Sequence, residues 1–172
     1  ASDEVLVRVY ATGICGSDLH YFRDGRIKNN IITEPLILGH ESSGTVAGLG
    51  SDVTHLREGD RVTIEPGVPC LKCEHCLSGR YNLCVNVMFL GAPPSHGSFR
   101  EFISHKALFV HKLPDDASFE DGACIEPLAV GYHAIERAGI RPGDRVLVTG
   151  PGPLGLLSMM FARIAGADVS IT

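Results

Sequence analysis

Arg145-Val146-Leu147-Val148-Thr149-Gly150-Pro151-Gly152-Pro153-Leu154-Gly155 is the stretch on which the reading of the fold turns. Its first five residues form a continuous apolar run of the kind buried on both faces of a parallel sheet. A glycine-rich turn follows, then an apolar helix to Ala165-Gly166, then Asp168-Val169-Ser170-Ile171. Strand, turn, helix and strand in that order predict a parallel pair with a helical crossover. Gly-x-Gly-x-x-Gly alone is a weak motif, and a chance glycine-rich turn is the bland reading. Between a strand and a helix it stands in the context of a dinucleotide-binding turn, in which Gly150, Gly152 and Gly155, with Pro153 and Leu154, hold a pyrophosphate at the helix N-terminus. The acidic residue that reads the ribose lies about 20 residues further on, at or past Thr172, so NAD and NADP both stay open.

Working back along the chain, the pattern changes. Glycine accounts for 20 of the 172 residues and punctuates many short apolar runs, as in small all-β domains. Val5, Val7 and Val9 predict a half-buried strand over 4–10. Residues 43–50 read as a strand whose glycines mark a bulge or barrel corner. Glu58-Gly59-Asp60-Arg61 is a turn into a strand at 62–64, and the same signal recurs at Gly143-Asp144-Arg145-Val146. Residues 98–105 and 109–113 read as further strands, and the set predicts a small β-barrel. Residues 21–33 are polar, with an Asp24-Gly25 turn, and predict a surface loop. Ser118-Phe119-Glu120-Asp121 is a capping box that starts a helix. Pro127 predicts that this helix breaks at Glu126 and that a second runs over 128–138 to Gly139. The expected domains are therefore 1–139 and 140–172.

The net charge of −5, with no basic run, argues against nucleic-acid and anionic-membrane partners. The longest apolar run, about residues 154–165, is short of a membrane span and contains Ser158 and Arg163, so a soluble protein is expected. Six cysteines could form a disulfide framework, but the chain reads without a signal-peptide h-region and four of them lie at metal-ligand spacing. A reducing, cytoplasmic setting is the expectation.

Those four, Cys70, Cys73, Cys76 and Cys84, fit one tetrahedral zinc ion in a structural site, with short spacings that keep loop closure inexpensive. Two disulfides or four free thiols are the other readings. A second, scattered set surrounds Leu38-Gly39-His40-Glu41. Cys15 lies upstream between Gly13 and Gly16, and Glu126-Pro127-Leu128 lies downstream. Cys15, His40 and Glu126 make a mixed sulfur, nitrogen and oxygen set, and three protein ligands with an open fourth position describe a catalytic zinc site. Cys124 competes with Glu126 for the third position. The helix break expected at Pro127 favours Glu126. Taken singly, each residue has a structural explanation; the dinucleotide turn in the same chain favours the joint reading.

These motifs, together with Gly13-Ile14-Cys15-Gly16-Ser17-Asp18-Leu19-His20-Tyr21, Glu65-Pro66-Gly67 and Gly79-Arg80-Tyr81-Asn82-Leu83-Cys84, resemble the zinc-dependent medium-chain dehydrogenases, in the polyol branch of sorbitol and xylitol dehydrogenases. The resemblance implies a GroES-like β-barrel catalytic domain, here incomplete at its N-terminus, followed by the start of a Rossmann domain. It implies Cys15, His40 and Glu126 as catalytic zinc ligands with Glu41 beside the metal holding its water. Ser17 and His20 would relay the alcohol proton, and Tyr21 and Phe89 would line the polyol pocket. The four-cysteine lobe departs from animal sorbitol dehydrogenases, which have lost it, and is more similar to fungal or bacterial members.

The implied reaction is zinc-dependent hydride transfer from a sorbitol- or xylitol-like secondary alcohol to NAD(P)+ in a homodimer or homotetramer, with threonine or a diol as alternative substrates. Members of the family have about twice this length, so the chain is expected to be a piece of a longer protein. By itself it is expected to bind dinucleotide weakly, to associate through the open edge at 146–148 and to lack turnover, since hydride transfer depends on positioning a nicotinamide. The contrasting reading is a zinc-stabilised fragment or binding module without catalysis.

Overall fold

Val5 and Val7 are fully buried while Leu6 and Arg8, which alternate with them, are exposed, and this period of two makes β1, Glu4–Gly13, a strand with one core face. In a computed structural model describing all 172 residues, β1 is followed by α1 (Gly16–Asp24), the short hairpin β2 (Arg26–Ile27) and β3 (Asn30–Ile31), β4 (Glu41–Leu49) and β5 (Arg61–Ile64). Next come β6 (Gly67–Val68), the one-turn α2 (Glu74–Leu77), β7 (Met88–Phe89), β8 (Phe102–Lys106) and β9 (Val110–Lys112). The chain ends with α3 (Phe119–Ala138), β10 (Arg145–Val148), α4 (Pro153–Ile164) and β11 (Asp168–Ile171). Two units result, Ala1–Ala123 and Cys124–Thr172, with α3 spanning the division. No helix is long and apolar enough to cross a membrane.

In the first unit a five-stranded antiparallel sheet has the order β8-β1-β4-β5-β9. Its two outer strands are consecutive in the chain, joined by the single 3-10 turn Ala107–Phe109, so residues 102–112 link both ends of the sheet. The enclosed core contains Val5, Val7, Val46, Val62, Ile64, Ile103 and Val110. Register shifts between Leu6 and Val7 and between Val9 and Ala11 are the expected bulges that bend β1 and β4. Gly44 lies so close to the Arg8 carbonyl that a Cβ there would collide with it.

Two local expectations are corrected. Residues 21–33 are not all loop: Tyr21 to Asp24 complete α1, Tyr21 is buried, and Gly25 is the left-handed residue that ends the helix at φ 64°. The Asp24-Gly25 signal marks a helix C-terminus rather than a free turn. Likewise the helix does not break at Pro127; α3 runs through it for 20 residues. The capping box at its start is real, since Ser118 N–H and Oγ–H both donate to Asp121 and Asp121 N–H donates to Ser118 Oγ. Two buried hydroxyls anchor the first turn: Ser43 donates to the Phe119 carbonyl, and Thr63 donates to the Gly122 carbonyl at 2.8 Å. A proline costs one helical hydrogen bond, whereas breaking a helix anchored in this way would require a second nucleation.

In the second unit β10 and β11 pair in parallel, and α4 crosses between them, as the strand, turn, helix and strand pattern requires. The helices α3 and α4 pack closely where Gly131 meets Leu157 and Ser158, and Tyr132 meets Phe161 edge-on. Burial of β10 on both faces is not seen: Leu147 is 62% exposed, because only the Val146 and Val148 side of the strand is covered within these residues.

His105 is a fully enclosed titratable group on β8. Its Nε2–H donates to the Glu65 carbonyl at 2.9 Å, and burial holds its pKa below the ordinary histidine value. A depressed folded-state pKa means that the unfolded chain takes up the proton first, so stability is lost as pH falls below about 6.5. Chemical denaturation from pH 7.5 to 5 is expected to show this loss, and His105→Gln, which keeps a donor, is expected to flatten the slope.

Candidate metal centres

The first centre is assembled by backbone geometry around β1, α1 and β4. Gly13 pairs with Glu41 across β1 and β4, and the Glu41 carboxylate lies over Gly13 where any Cβ would stand. Gly39 has φ 93° and faces the Phe99 ring, which a Cβ would meet at 2.6 Å. Gly39 is therefore required by its left-handed φ as well as by the Phe99 ring, and a side chain at position 13 would displace the Glu41 carboxylate. The result is that Cys15 Sγ, a His40 ring nitrogen and a Glu41 carboxylate oxygen all lie within 4.8 Å of one another. His40 is buried, and the other two are half-buried. A soft thiol, an imidazole and a carboxylate together suit zinc better than magnesium or calcium, which prefer oxygen alone.

Asp18 joins the two loops that carry Cys15 and His40, and motif reading assigned it no role. One carboxylate oxygen accepts the Cys15 backbone N–H at 2.9 Å, and the other accepts the Gly39 N–H at 3.0 Å and lies 3.7 Å from His40 Nδ1. The residue is only 3% exposed. Its signal was available in sequence: an acid three residues after Cys15 is the reciprocal partner of a helix N-cap. Its second partner is 21 residues away, which no local pattern contains.

The remaining expected site residues fall as follows. Ser17 is half-buried and His20 exposed on α1, one turn apart, with His20 Nδ1 3.5 Å from Asp24. Tyr21 is buried, its hydroxyl accepts from the Asn30 amide at 2.9 Å, and burial raises its pKa. Phe89 on β7 is half-buried, with its ring 5.4 Å from that of His40. Glu126 is half-buried and Cys124 exposed, both on α3 in the second unit.

In the second centre the thiols of Cys70, Cys73, Cys76 and Cys84 all lie within 4.8 Å of one another, and none is in a disulfide. The one-turn α2 starts at Cys73, and Cys70 N–H donates to Cys84 Sγ at 3.2 Å, closing the lobe. The thiols are strongly divided. The Lys72 backbone N–H lowers the Cys70 pKa to about 6, the Cys76 N–H lowers that of Cys73, and burial pushes Cys76 up to about 12. Four thiolates this close repel, and a divalent ion that binds sulfur at about 2.3 Å offsets the repulsion.

The glycine-rich turn before α4 has the backbone geometry that the Gly-x-Gly-x-x-Gly motif requires. Gly150 makes the tight turn at φ 96°, Gly152 caps α4 with open space where its Cβ would be, and a Cβ on Gly155 would collide with the Gly150 carbonyl. Pro153 is the first residue of the helix.

The alcohol dehydrogenase GroES-like domain matches residues 1–115. The chain is 53% identical over 165 residues to sorbitol dehydrogenase of Macaca fascicularis, covering 96% of the chain and 46% of that protein. It is 55% identical over 164 residues to L-arabinitol 4-dehydrogenase of Aspergillus oryzae, covering 95% of the chain and 43% of that protein. The crystal structure of galactitol-1-phosphate dehydrogenase from Escherichia coli superposes with a TM-score of 0.90 at 40% identity, covering 99% of the chain and 48% of that structure. The chain thus spans somewhat under half the length of the curated relatives it matches.

Because Asp18 holds both backbone segments, Asp18→Asn is expected to leave the four-thiol centre loaded and to weaken metal binding at the Cys15 centre by about 10- to 100-fold, the usual range for groups that orient metal ligands. Competitive chelation followed by metal analysis measures both occupancies in one sample.

Proposed function

The chain belongs to the alcohol dehydrogenase GroES-like domain family, and we propose that the protein of which it forms part is a zinc-dependent oxidoreductase that transfers hydride from a polyol-like secondary alcohol to NAD(P)+. The observation that carries this reading is the convergence of Cys15, His40 and Glu41 within 4.8 Å beside a buried orienting carboxylate. Relatives named for sorbitol and L-arabinitol support a polyol as the substrate class. Residues 1–139 form the catalytic domain in this reading, and residues 140–172 open a Rossmann domain. The protein is cytoplasmic and homo-oligomeric, a dimer or tetramer.

Cys15, His40 and Glu126 are the proposed ligands of a catalytic zinc, with Glu41 beside it, and Cys70, Cys73, Cys76 and Cys84 hold a structural zinc. The catalytic zinc supplies Lewis acidity that lowers the pKa of a bound hydroxyl. Ser17 accepts the proton that the alcohol loses and passes it to His20, one helical turn away and exposed to solvent, where it leaves to water. Asp18 keeps Cys15 and His40 in register during the reaction. Tyr21 and Phe89 bound the polyol site. Gly150, Gly152, Pro153, Leu154 and Gly155 receive the cofactor pyrophosphate at the start of α4, where unpaired N–H groups favour an anion.

Metal analysis of the full-length protein is expected to give two zinc ions per chain. In Glu126→Ala, the zinc that is first lost to a mild chelator is expected to be absent, together with most of the polyol oxidation. Cys124→Ala is expected to keep both ions and to cost about 1 to 3 kcal/mol of stability at most. If Glu126→Ala keeps two ions, the third ligand is another residue; if it is Cys124→Ala that loses the labile ion, the role passes to Cys124.

A further inference from the structure

The segment 37–39, which presents His40, is gripped from a second side. Residues 96–99 form a strap along it: Gly97 N–H donates to the Ile37 carbonyl at 2.6 Å, Phe99 N–H to the Leu38 carbonyl at 2.9 Å and Ser98 N–H to the Gly39 carbonyl at 2.9 Å. Gly97 is buried, and a Cβ on it would stand 2.2 Å from the Gly39 carbonyl oxygen, so strap and segment are in direct backbone contact. These three bonds all run from strap N–H to segment carbonyl. The bond in the other direction ends on a side chain: Ile37 N–H donates to His96 Nδ1 at 3.2 Å. The N–H groups of residues 37 and 39 are thus taken by His96 from the strap and by Asp18 from α1. A ring nitrogen accepts only while it carries no proton, and imidazoles as a class gain their second proton between about pH 5 and 8.

We propose that His96 is a positioning residue for the Cys15 centre: as acceptor for the Ile37 N–H it closes the strap on the segment that presents His40, and it releases that segment when its ring is protonated. The inference rests on the reading of the Cys15 centre as a zinc site. His96 acts through the backbone of Ile37, three residues before His40. It also lines a cleft of about 240 Å³ between residues 32–36 and 93–96, and Glu34 is the other ionisable residue on the walls of that cleft. The remaining walls, Pro35, Pro93 and Pro94 among them, carry no charge. Protonation turns Nδ1 into a donor that faces the Ile37 N–H, so the bond is lost, and the Glu34 carboxylate offers the cationic ring a partner within the same cleft. The segment is then less ordered before metal arrives, and the entropy that His96 had already removed is lost on zinc binding instead.

The test uses the zinc-loaded full-length protein and competition with a zinc chelator at about pH 7.5 and about pH 5.5, on either side of the imidazole range. The four-thiol centre is the internal control. His96→Leu removes the acceptor, and His96→Asn keeps one in a side chain that does not titrate. At the higher pH, His96→Leu is expected to weaken zinc at the Cys15 centre by about 2- to 10-fold, the range of one net hydrogen bond, and His96→Asn is expected to match the wild type. At the lower pH, the wild type is expected to fall toward His96→Leu, while His96→Asn holds zinc more tightly than both by a similar factor. Comparison at one pH cancels the protonation of Cys15 and His40, which all three proteins share. Amide hydrogen exchange over residues 37–39 is expected to follow the same order, with circular dichroism confirming that each variant is folded. A wild type that holds zinc at the four-thiol centre alone overturns the proposal together with the zinc reading of the Cys15 centre. With both ions in place, equal affinity of the wild type and His96→Leu at the higher pH, or of the wild type and His96→Asn at the lower, overturns the proposal alone. Faster exchange in His96→Leu with unchanged zinc affinity does so too, since His96 then fastens the segment without serving the metal.

Discussion

A buried carboxylate that accepts two backbone N–H bonds is the constraint on which the first unit's chemistry depends. Asp18 is almost without solvent contact, and its two oxygens hold residues 15 and 39. An ionised group in that position is tolerable only if it is fully hydrogen-bonded, so folding the carboxylate inward and bringing the two loops together are one event. Cys15 and His40 then have little freedom left, and a metal ion meets a set of ligands that is already ordered. The surrounding glycines serve the same end: Gly13 and Gly39 leave room for the Glu41 carboxylate and the Phe99 ring, which a Cβ at either position would meet.

The two centres solve the ordering of ligands in different ways. In the Cys15 centre the protein core orders the donors, through a sheet whose strands are far apart in sequence and whose ends are joined by residues 102–112. In the four-thiol lobe the donors lie within residues 70–84, with no enclosed apolar core, and four thiolates within 4.8 Å of one another would repel without a cation between them. Metal loading and folding of that lobe are therefore one equilibrium, while the Cys15 centre can exist as a preformed pocket.

The anchoring of α3 shows how the barrel reaches beyond its own strands. Ser43 and Thr63 are buried hydroxyls on neighbouring strands, and each finds its acceptor among the first-turn carbonyls of α3. Phe119 adds a stack, with the Tyr10 ring 4.7 Å away and the Arg61 guanidinium 4.8 Å from its centroid. A helix tied down this firmly carries Pro127 in its interior without ending there.

Read alone, the sequence determined whatever depends on short spacing or on periodicity: the four-thiol lobe, the capping box at Ser118, the alternating strands, and the strand, turn, helix and strand unit at the C-terminal end. These signals are local because their partners lie within a few residues, so composition and order suffice. The resemblance to the zinc-dependent dehydrogenases likewise rested on motifs of a few residues each, and the family match agrees with it. Only the tertiary structure decided the continuity of α3, the burial of Tyr21 within α1 and the part played by Asp18. Each of these rests on a partner from a distant part of the chain: Thr63 for Gly122, Asn30 for Tyr21, Gly39 for Asp18. Local propensity favours a break at Pro127 and a loop after His20, and it is outweighed because hydrogen bonds made in buried or half-buried surroundings are shielded from water, whereas those an exposed turn could offer are not.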